Sequence, residues 1–184
     1  MAIIRFDSLV AAPWKNGGGV TRQIACHPPG SGLDGFDWRL STAEVAQDGP
    51  FSRFEGIDRR LYILHGNGLE LRFADGPQRL TKGGHVDFAG EAAVFGALVN
   101  GPVSDFNIMV RRDRVRMRAE RLRIDGAQAI AHGWGAAALF VLAGDVAVTE
   151  GVARRFDTVL REGAGALTIS GAAEALLIGF EALA

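Results

Sequence analysis

Hydrophobic and polar residues alternate with a period of two through short runs along this chain, and glycine-rich turns separate the runs; the pattern predicts strands. In Val20-Thr21-Arg22-Gln23-Ile24-Ala25, the residues Val20, Arg22 and Ile24 share one face. If that face looks inward, Arg22 looks inward with it and needs an anionic partner, because its charge is costly to bury alone. After a loop over His27–Asp37, the run Trp38–Val45 places Trp38, Leu40, Thr42 and Glu44 on one side. Phe106–Val110 alternates again, with Asn107, Met109 and Arg111 opposite Phe106, Ile108 and Val110. Arg155–Leu160, Ala166–Ile169 and Ala175–Phe180 read as closing strands. No window of about ten residues has helical periodicity with caps at both ends, so the fold class expected is all-β.

The segment Leu61–Phe73 predicts a hairpin: Leu61–Leu64 runs in, His65-Gly66-Asn67-Gly68 turns, and Leu69–Phe73 runs out. Leu61-Tyr62-Ile63-Leu64-His65-Gly66-Asn67 matches Leu139-Phe140-Val141-Leu142-Ala143-Gly144-Asp145 in register, which makes the latter a second hairpin. With Gly68 taken as a one-residue insertion, Leu69-Glu70-Leu71 answers Val146-Ala147-Val148. The match reads as an internal duplication. It predicts two barrel-like halves, 1–115 and 116–184, that share or exchange strands, since neither half alone covers its own edges.

A chain of 184 residues buries one substantial core or two smaller ones. Lys and Arg number 20 against 21 Asp and Glu, so no field attracts a polyanion, and nucleic acid and anionic membranes are not expected partners. The run Arg111–Arg118 is interrupted by Asp113 and has no aromatic residues for base stacking. It reads instead as a turn into an edge strand whose arginines discourage sheet-to-sheet pairing. The single cysteine, Cys26, excludes an internal disulfide. Met1–Asp7 lacks the pattern of a signal peptide and the longest apolar stretch, Ala136–Ala143, is too short to span a bilayer, so a cytoplasmic location is expected.

The densest chemistry lies in Pro13-Trp14-Lys15-Asn16-Gly17-Gly18-Gly19-Val20-Thr21-Arg22. Its glycines offer bare N–H groups that a ligand can approach, and Lys15 and Arg22 flank them, which suits an anion-binding lip. The same residues also suit a tight turn into a strand, with Trp14 as packing. The histidines His27, His65, His85 and His132 stand neither two nor four residues apart, so no H-x-H or H-E-x-x-H pair exists; no metal or cofactor is expected. Nucleophile-elbow, P-loop and Rossmann patterns are also missing. What remains is a set of polar residues in otherwise apolar strands: Arg22, Arg39, Ser41, Glu44, Arg60, Tyr62, Asn107 and Arg111. In a small barrel such residues converge on an interior ligand. Arginine suits bidentate recognition of a carboxylate, so a small organic anion is the expected partner.

Several blocks in order carry a family resemblance. They are Pro13–Gly19 with Thr21-Arg22, Trp38-Arg39-Leu40-Ser41 with Ala43-Glu44-Val45, Asp48-Gly49-Pro50-Phe51-Ser52, and Gly56-Ile57-Asp58-Arg59 leading to Leu64 with Gly66-Asn67-Gly68. Gly101-Pro102 then precedes Asp105-Phe106-Asn107 and Met109-Val110-Arg111-Arg112. On these blocks the chain resembles the HutD/Ves family, a branch of the cupin superfamily. The resemblance implies a bicupin fold and a link to histidine utilisation, with restraint of that pathway through binding an intermediate such as N-formylglutamate or urocanate. The histidine pair of metallocupins is missing.

The leading expectation is therefore a metal-free protein that binds a small carboxylate and limits flux or induction. Its pocket lining is expected from Lys15, Asn16, Thr21, Arg22, Arg39, Ser41, Glu44, Arg60, Tyr62, Asn107 and Arg111, in the first half. The second half has no comparable polar set, Phe140 standing where the first copy has Tyr62, and is expected to be structural. A homodimer is the oligomeric option. The rival is a cofactor-independent isomerase, epimerase or hydrolase, with Glu44 or His85 as general base and Tyr62 as acid.

Overall fold

The computed structural model describes residues 1–183. The strands are β1 (Ala2–Ile4), β2 (Ala11–Pro13), β3 (Gly19–His27), β4 (Trp38–Val45), β5 (Gly49–Pro50) and β6 (Ile57–His65). They continue with β7 (Leu69–Phe73), β8 (Gly76–Leu80), β9 (His85–Ala89), β10 (Phe95–Leu98) and β11 (Val103–Arg111). The last are β12 (Val115–His132), β13 (Ala136–Val148), β14 (Gly151–Ala153), β15 (Thr158–Glu162) and β16 (Gly165–Ala182). Among the described residues the single helical element is a 3₁₀ turn at Phe6–Ser8, so no helix is long and apolar enough to cross a membrane. The all-β expectation holds.

The chain divides into two compact units, Val10–Asp113 and Met1–Leu9 with Arg114 onward. The sequence halves differ at the N-terminus, because β1 pairs antiparallel with β15, from Ala2 opposite Leu160 to Ile4 opposite Thr158. Asp157 holds this segment: one carboxylate oxygen accepts from Arg5 Nη1 at 2.7 Å and the other from the Phe6 amide at 2.9 Å.

In the unit Val10–Asp113, a six-stranded sheet has the order β2-β3-β4-β11-β6-β9 and a four-stranded sheet the order β5-β10-β7-β8. Leu61, Ile63 and Val103 of the first meet Leu69 and Leu71 of the second in one apolar core. The predicted hairpin over Leu61–Phe73 is therefore not one. β6 pairs with β9 and β11, whereas β7 pairs with β8 and β10, and the glycines between them turn a corner from sheet to sheet. Gly66 (φ 100°) and Gly68 (φ 129°) are needed there: a Cβ at either would stand 2.5 Å from a carbonyl oxygen, of Pro102 and Leu80 respectively.

The other unit is one sheet ordered β1-β15-β13-β16-β12, with β14 on β13. Here too the predicted turn at Gly144-Asp145 lies inside a strand: β13 runs on to Val148, and Val148 pairs with Gly151 across the actual turn. Ala166–Ile169 and Ala175–Phe180 belong to the single strand β16. β12 is the edge strand, and its Arg116, Arg118, Arg121 and Arg123 are exposed, as expected of residues that discourage edge pairing.

The two repeated segments share a local irregularity. In the first, Ile63 lies opposite Asp105 and His65 opposite Ser104, so Leu64 is bulged out of register. In the second, Val141 lies opposite Ala175 and Ala143 opposite Glu174, so Leu142, its counterpart, is bulged in the same way. Each bulge is followed by a positive-φ glycine pressed on a neighbouring carbonyl, Gly66 on Pro102 and Gly144 on Ala172.

The corner makes a testable distinction. Gly101 has a comparable φ of 106° with open space around it, so Gly101→Ala carries only the left-handed backbone cost of about 1–2 kcal/mol. Gly66→Ala adds a clash with the Pro102 backbone and should be less stable by about a further 1–3 kcal/mol in denaturant unfolding. Equal midpoints for the two variants would refute the packing role given to Gly66.

Candidate functional site

The site is built on the rungs of the six-stranded sheet. Across β3, β4, β11 and β6, in that order, one rung is Thr21, Ala43, Asp105 and Ile63, and the next is Gln23, Ser41, Asn107 and Leu61. A register shift between Gln23 and Ala25 then brings Cys26 into line with Arg39, Met109 and Arg59. Because strand side chains alternate, these residues project from one face. Of these, Thr21, Gln23, Arg39, Ser41, Ala43, Arg59, Asp105, Asn107 and Met109, with Trp14–Asn16 of the glycine lip, residues 47–52 and Phe54, line a cavity of about 690 Å³ that lies wholly within Val10–Asp113.

Arg59 is the most confined charge there. Its guanidinium carbon lies 4.8 Å from the Phe88 ring centroid, 5.4 Å from that of Phe51 and 5.6 Å from that of Phe54, positions that suit cation–π attraction. Nη2 donates to Asn107 Oδ1 at 2.9 Å and Nη1 to the Ser52 carbonyl at 3.2 Å, while Nε has no partner. Asn107 is a bridge, since its Nδ2 donates to Asp105 Oδ1 at 2.7 Å. Arg39 donates to Gln23 Oε1 at 2.8 Å, Ser41 Oγ at 3.1 Å and Met109 Sδ at 3.7 Å. Among the described residues, neither guanidinium has a carboxylate within 4 Å.

Burial shapes the protonation of this group. Desolvation lowers the pKa of Arg59 to about 10, with Arg39 adding to the effect and Asp105 opposing it, and desolvation also lowers that of Arg39. Desolvation raises Asp105 from 3.8 to about 7, against the stabilising Arg59 charge and the hydrogen bonds from Asn107 and the Ala43 amide. At neutral pH the cavity floor thus carries two cations and at most one carboxylate. The arrangement is electropositive, offers N–H donors to an anion, and holds one group that can gain or lose a proton near neutrality.

The structure brings together six of the residues expected from sequence: Lys15, Asn16, Thr21, Arg39, Ser41 and Asn107 all line the cavity. Five do not line it. Arg22 faces the other way, opposite Thr42, and pairs with Glu44 at 2.5 Å, because the inward residues of β3 are Thr21 and Gln23. Glu44 is 56 % exposed. Arg60 pairs with Asp87 at 2.5 Å on the opposite face from Arg59, and Tyr62 lies on that face too, 5.0 Å from the His85 ring. Arg111 lies beyond the cavity and donates to the Asp34 carbonyl at 3.1 Å. Of the two base–acid pairs expected, His85 with Tyr62 comes together, with ring centroids 5.0 Å apart on the face away from the cavity, whereas Glu44 with Tyr62 does not. Glu44 and Tyr62 sit on strands with β11 between them, about 10 Å apart, and neither lines the cavity.

The glycine lip also differs from expectation. The Gly17 amide donates to the Trp14 carbonyl at 3.0 Å and that of Gly18 to Asn16 Oδ1 at 3.1 Å, so the turn itself uses N–H groups expected to be bare. Gly19 is required by packing: a Cβ there would stand 2.3 Å from the Glu44 carbonyl and 3.1 Å from the Trp14 ring. Trp14 is oriented by its Nε1, which donates to Thr21 Oγ1 at 2.8 Å, and its ring lines the cavity.

Sequence reasoning missed Arg59, Asp105, Gln23 and Met109 as lining. The usable signal was parity: Asp105 and Met109 share a face with Asn107. For Arg59 against Arg60 that signal fails, because Leu61-Tyr62-Ile63-Leu64 is apolar at every position and shows no alternation.

Comparison with known proteins gives a consistent picture. A family model described as HutD matches residues 7–178. An uncharacterized 21.2 kDa protein in the hutC 3′ region of Pseudomonas putida is 38 % identical over 121 residues, which are 65 % of this chain and 63 % of that protein. The chain thus spans somewhat under two thirds of that curated relative. The structure of HutD from Pseudomonas fluorescens SBW25 (formate condition) superposes with a TM-score of 0.88 and 31 % identity, covering 100 % of this chain and 99 % of that one. A cupin 2 conserved barrel domain protein from Leptotrichia buccalis has a TM-score of 0.66 at 13 % identity, covering 98 % and 96 %, and shows the cupin fold alone.

The protonation of Asp105 makes stability depend on pH with a definite sign. The folded protein keeps a proton there up to about pH 7 that the unfolded chain gives up near 3.8. The contribution of this group to stability is therefore full below the unfolded value and is lost as the pH rises through the folded one. In Asp105→Asn the side chain is neutral throughout, so its thermal midpoint should fall less between about pH 5 and 8 than that of the natural protein. Parallel slopes would contradict the buried, protonated state.

Proposed function

We propose that this chain, which belongs to the HutD family, is a small-molecule binding protein that holds an organic carboxylate in the cavity of Val10–Asp113. The observation that carries the reading is the pair of buried guanidiniums, Arg39 and Arg59, lining one cavity with no carboxylate among the described residues within 4 Å of either, Asp105 reaching Arg59 only through Asn107. Placing an anion there offsets their mutual repulsion, and arginine presents the planar donor fork that a carboxylate matches. The lining does not suit the metal of metal-dependent cupins: it contains no imidazole, and two guanidiniums repel a cation.

The gene-region name of the Pseudomonas putida relative supports a link to histidine utilisation, with the protein sensing or restraining the pathway by binding an intermediate. Urocanate and N-formylglutamate both carry the required carboxylate. We also read the fold as a bicupin. The repeated Leu-aromatic-β-branched-Leu segments share a bulge at the same position and a packed glycine after it, which supports one ancestral frame used twice.

Calorimetric titration with urocanate, N-formylglutamate, glutamate and formate tests the reading. Binding of at least one in the millimolar range or tighter is expected, and Arg59→Met should weaken it about 10- to 100-fold, the cost of one charge-assisted hydrogen-bonded anchor. Silence with all four ligands, or unchanged affinity in Arg59→Met, would remove the proposal.

A further inference from the structure

The carboxylate reading leaves open what that carboxylate is attached to, and the inference here rests on that reading. The cavity lining combines buried charge with apolar and aromatic side chains, its exposed part also carrying Lys15, Asn16, Gln47, Asp48 and Ser52. At the floor Arg59 and Arg39 are 5 % and 8 % exposed. Half-buried on its walls stand the rings of Trp14, Phe51 and Phe54. Its lining also includes Val10 and Leu33, which are 85 % and 54 % exposed and are the two most exposed large hydrophobic residues among those described. A single exposed apolar side chain needs no explanation, but here the two extreme cases share the lining of one charged cavity.

Size points the same way. A carboxylate group takes the room of about two waters, roughly 60 Å³ at ~30 Å³ each. The cavity offers about 690 Å³, in the range that holds ligands of many heavy atoms. Seating a bare small acid on Arg59 would leave the aromatic walls and the rim wet.

We propose that the ligand is an amphiphilic carboxylate, whose anionic group meets Arg59 and Arg39 and whose apolar alkyl or aryl body runs along Trp14, Phe51 and Phe54 to Val10 and Leu33. The exposed rim residues are then recognition groups that the ligand covers. Burying that surface supplies affinity, and the guanidiniums supply orientation.

The test is a calorimetric series on the full chain with formate, butanoate, hexanoate, octanoate and neutral octan-1-ol. Affinity should rise along the acids, by up to about fourfold per methylene. Val10→Ser and Leu33→Ser should each weaken octanoate about fivefold while leaving formate binding and the thermal midpoint unchanged. Formate binding with no gain along the series overturns this inference and leaves the carboxylate reading standing. An alcohol that binds as tightly as octanoate, or rim variants without effect on octanoate, overturns the inference as well. Failure of every acid of the series to bind the natural protein overturns this inference, and the carboxylate reading falls with it only when urocanate, N-formylglutamate and glutamate are silent as well.

Discussion

A guanidinium at 5 % exposure, ringed by three phenylalanines and tied to one amide and one carbonyl, has given up most of its hydration for partial compensation. The π faces of Phe51, Phe54 and Phe88 return part of the loss, and Asn107 returns another part. Arg39 lies on the same rung two strands away, about 10 Å by strand spacing. At an effective dielectric of ~20 their repulsion is on the order of 2 kcal/mol. Asp105 offsets this only in part, because its own burial favours the protonated acid. The cavity is thus organised around positive charge that the protein itself does not neutralise.

The surrounding strands are arranged to keep this charge in place. Asn107 accepts from Arg59 and donates to Asp105, so a single amide on β11 fixes the orientation of both ionisable groups. Gln23, Ser41 and Met109, from three neighbouring strands, hold Arg39 in the same way. All these contacts follow from register. The bulge at Ile24 in β3 keeps Gln23 and Cys26 on one face of the sheet despite their odd spacing.

Each unit has a bulge at the corresponding position of its Leu-aromatic-β-branched-Leu segment, and the residues around the two bulges differ in kind. Where Val10–Asp113 has Arg59, Asp105, Asn107 and Met109, the other unit has Ala137, Ala175, Leu177 and Gly179 at the corresponding register positions. The indole of Trp134 lies directly on Gly179, where a Cβ would come within 2.2 Å of it. Polar side chains around open volume in one unit thus correspond to small apolar residues and a large ring in the other. The second unit has the composition of a packed core.

Sequence by itself determined the strand-rich character, the arginine-bearing edge of β12, the internal match of Leu61–Asn67 with Leu139–Asp145, and, of the cavity's two buried guanidiniums, Arg39. These follow from local pattern, which is written in neighbouring residues. Tertiary structure alone decided which face of each strand meets the cavity. β4 is buried at seven of its eight positions, so both faces look alike in hydropathy. β6 is apolar throughout Leu61–Leu64, so nothing local separates Arg59 from Arg60. Sheet pairing settled it, and a shift of one residue exchanged Arg60 and Tyr62 for Arg59 and Leu61. The glycine corner at Gly66–Gly68 had the composition of a hairpin turn; only the carbonyls of Pro102 and Leu80, far along the chain, made it a passage between sheets. The pKa of Asp105 had the same non-local origin, since desolvation is a property of all the atoms around a carboxyl and of none of its sequence neighbours alone.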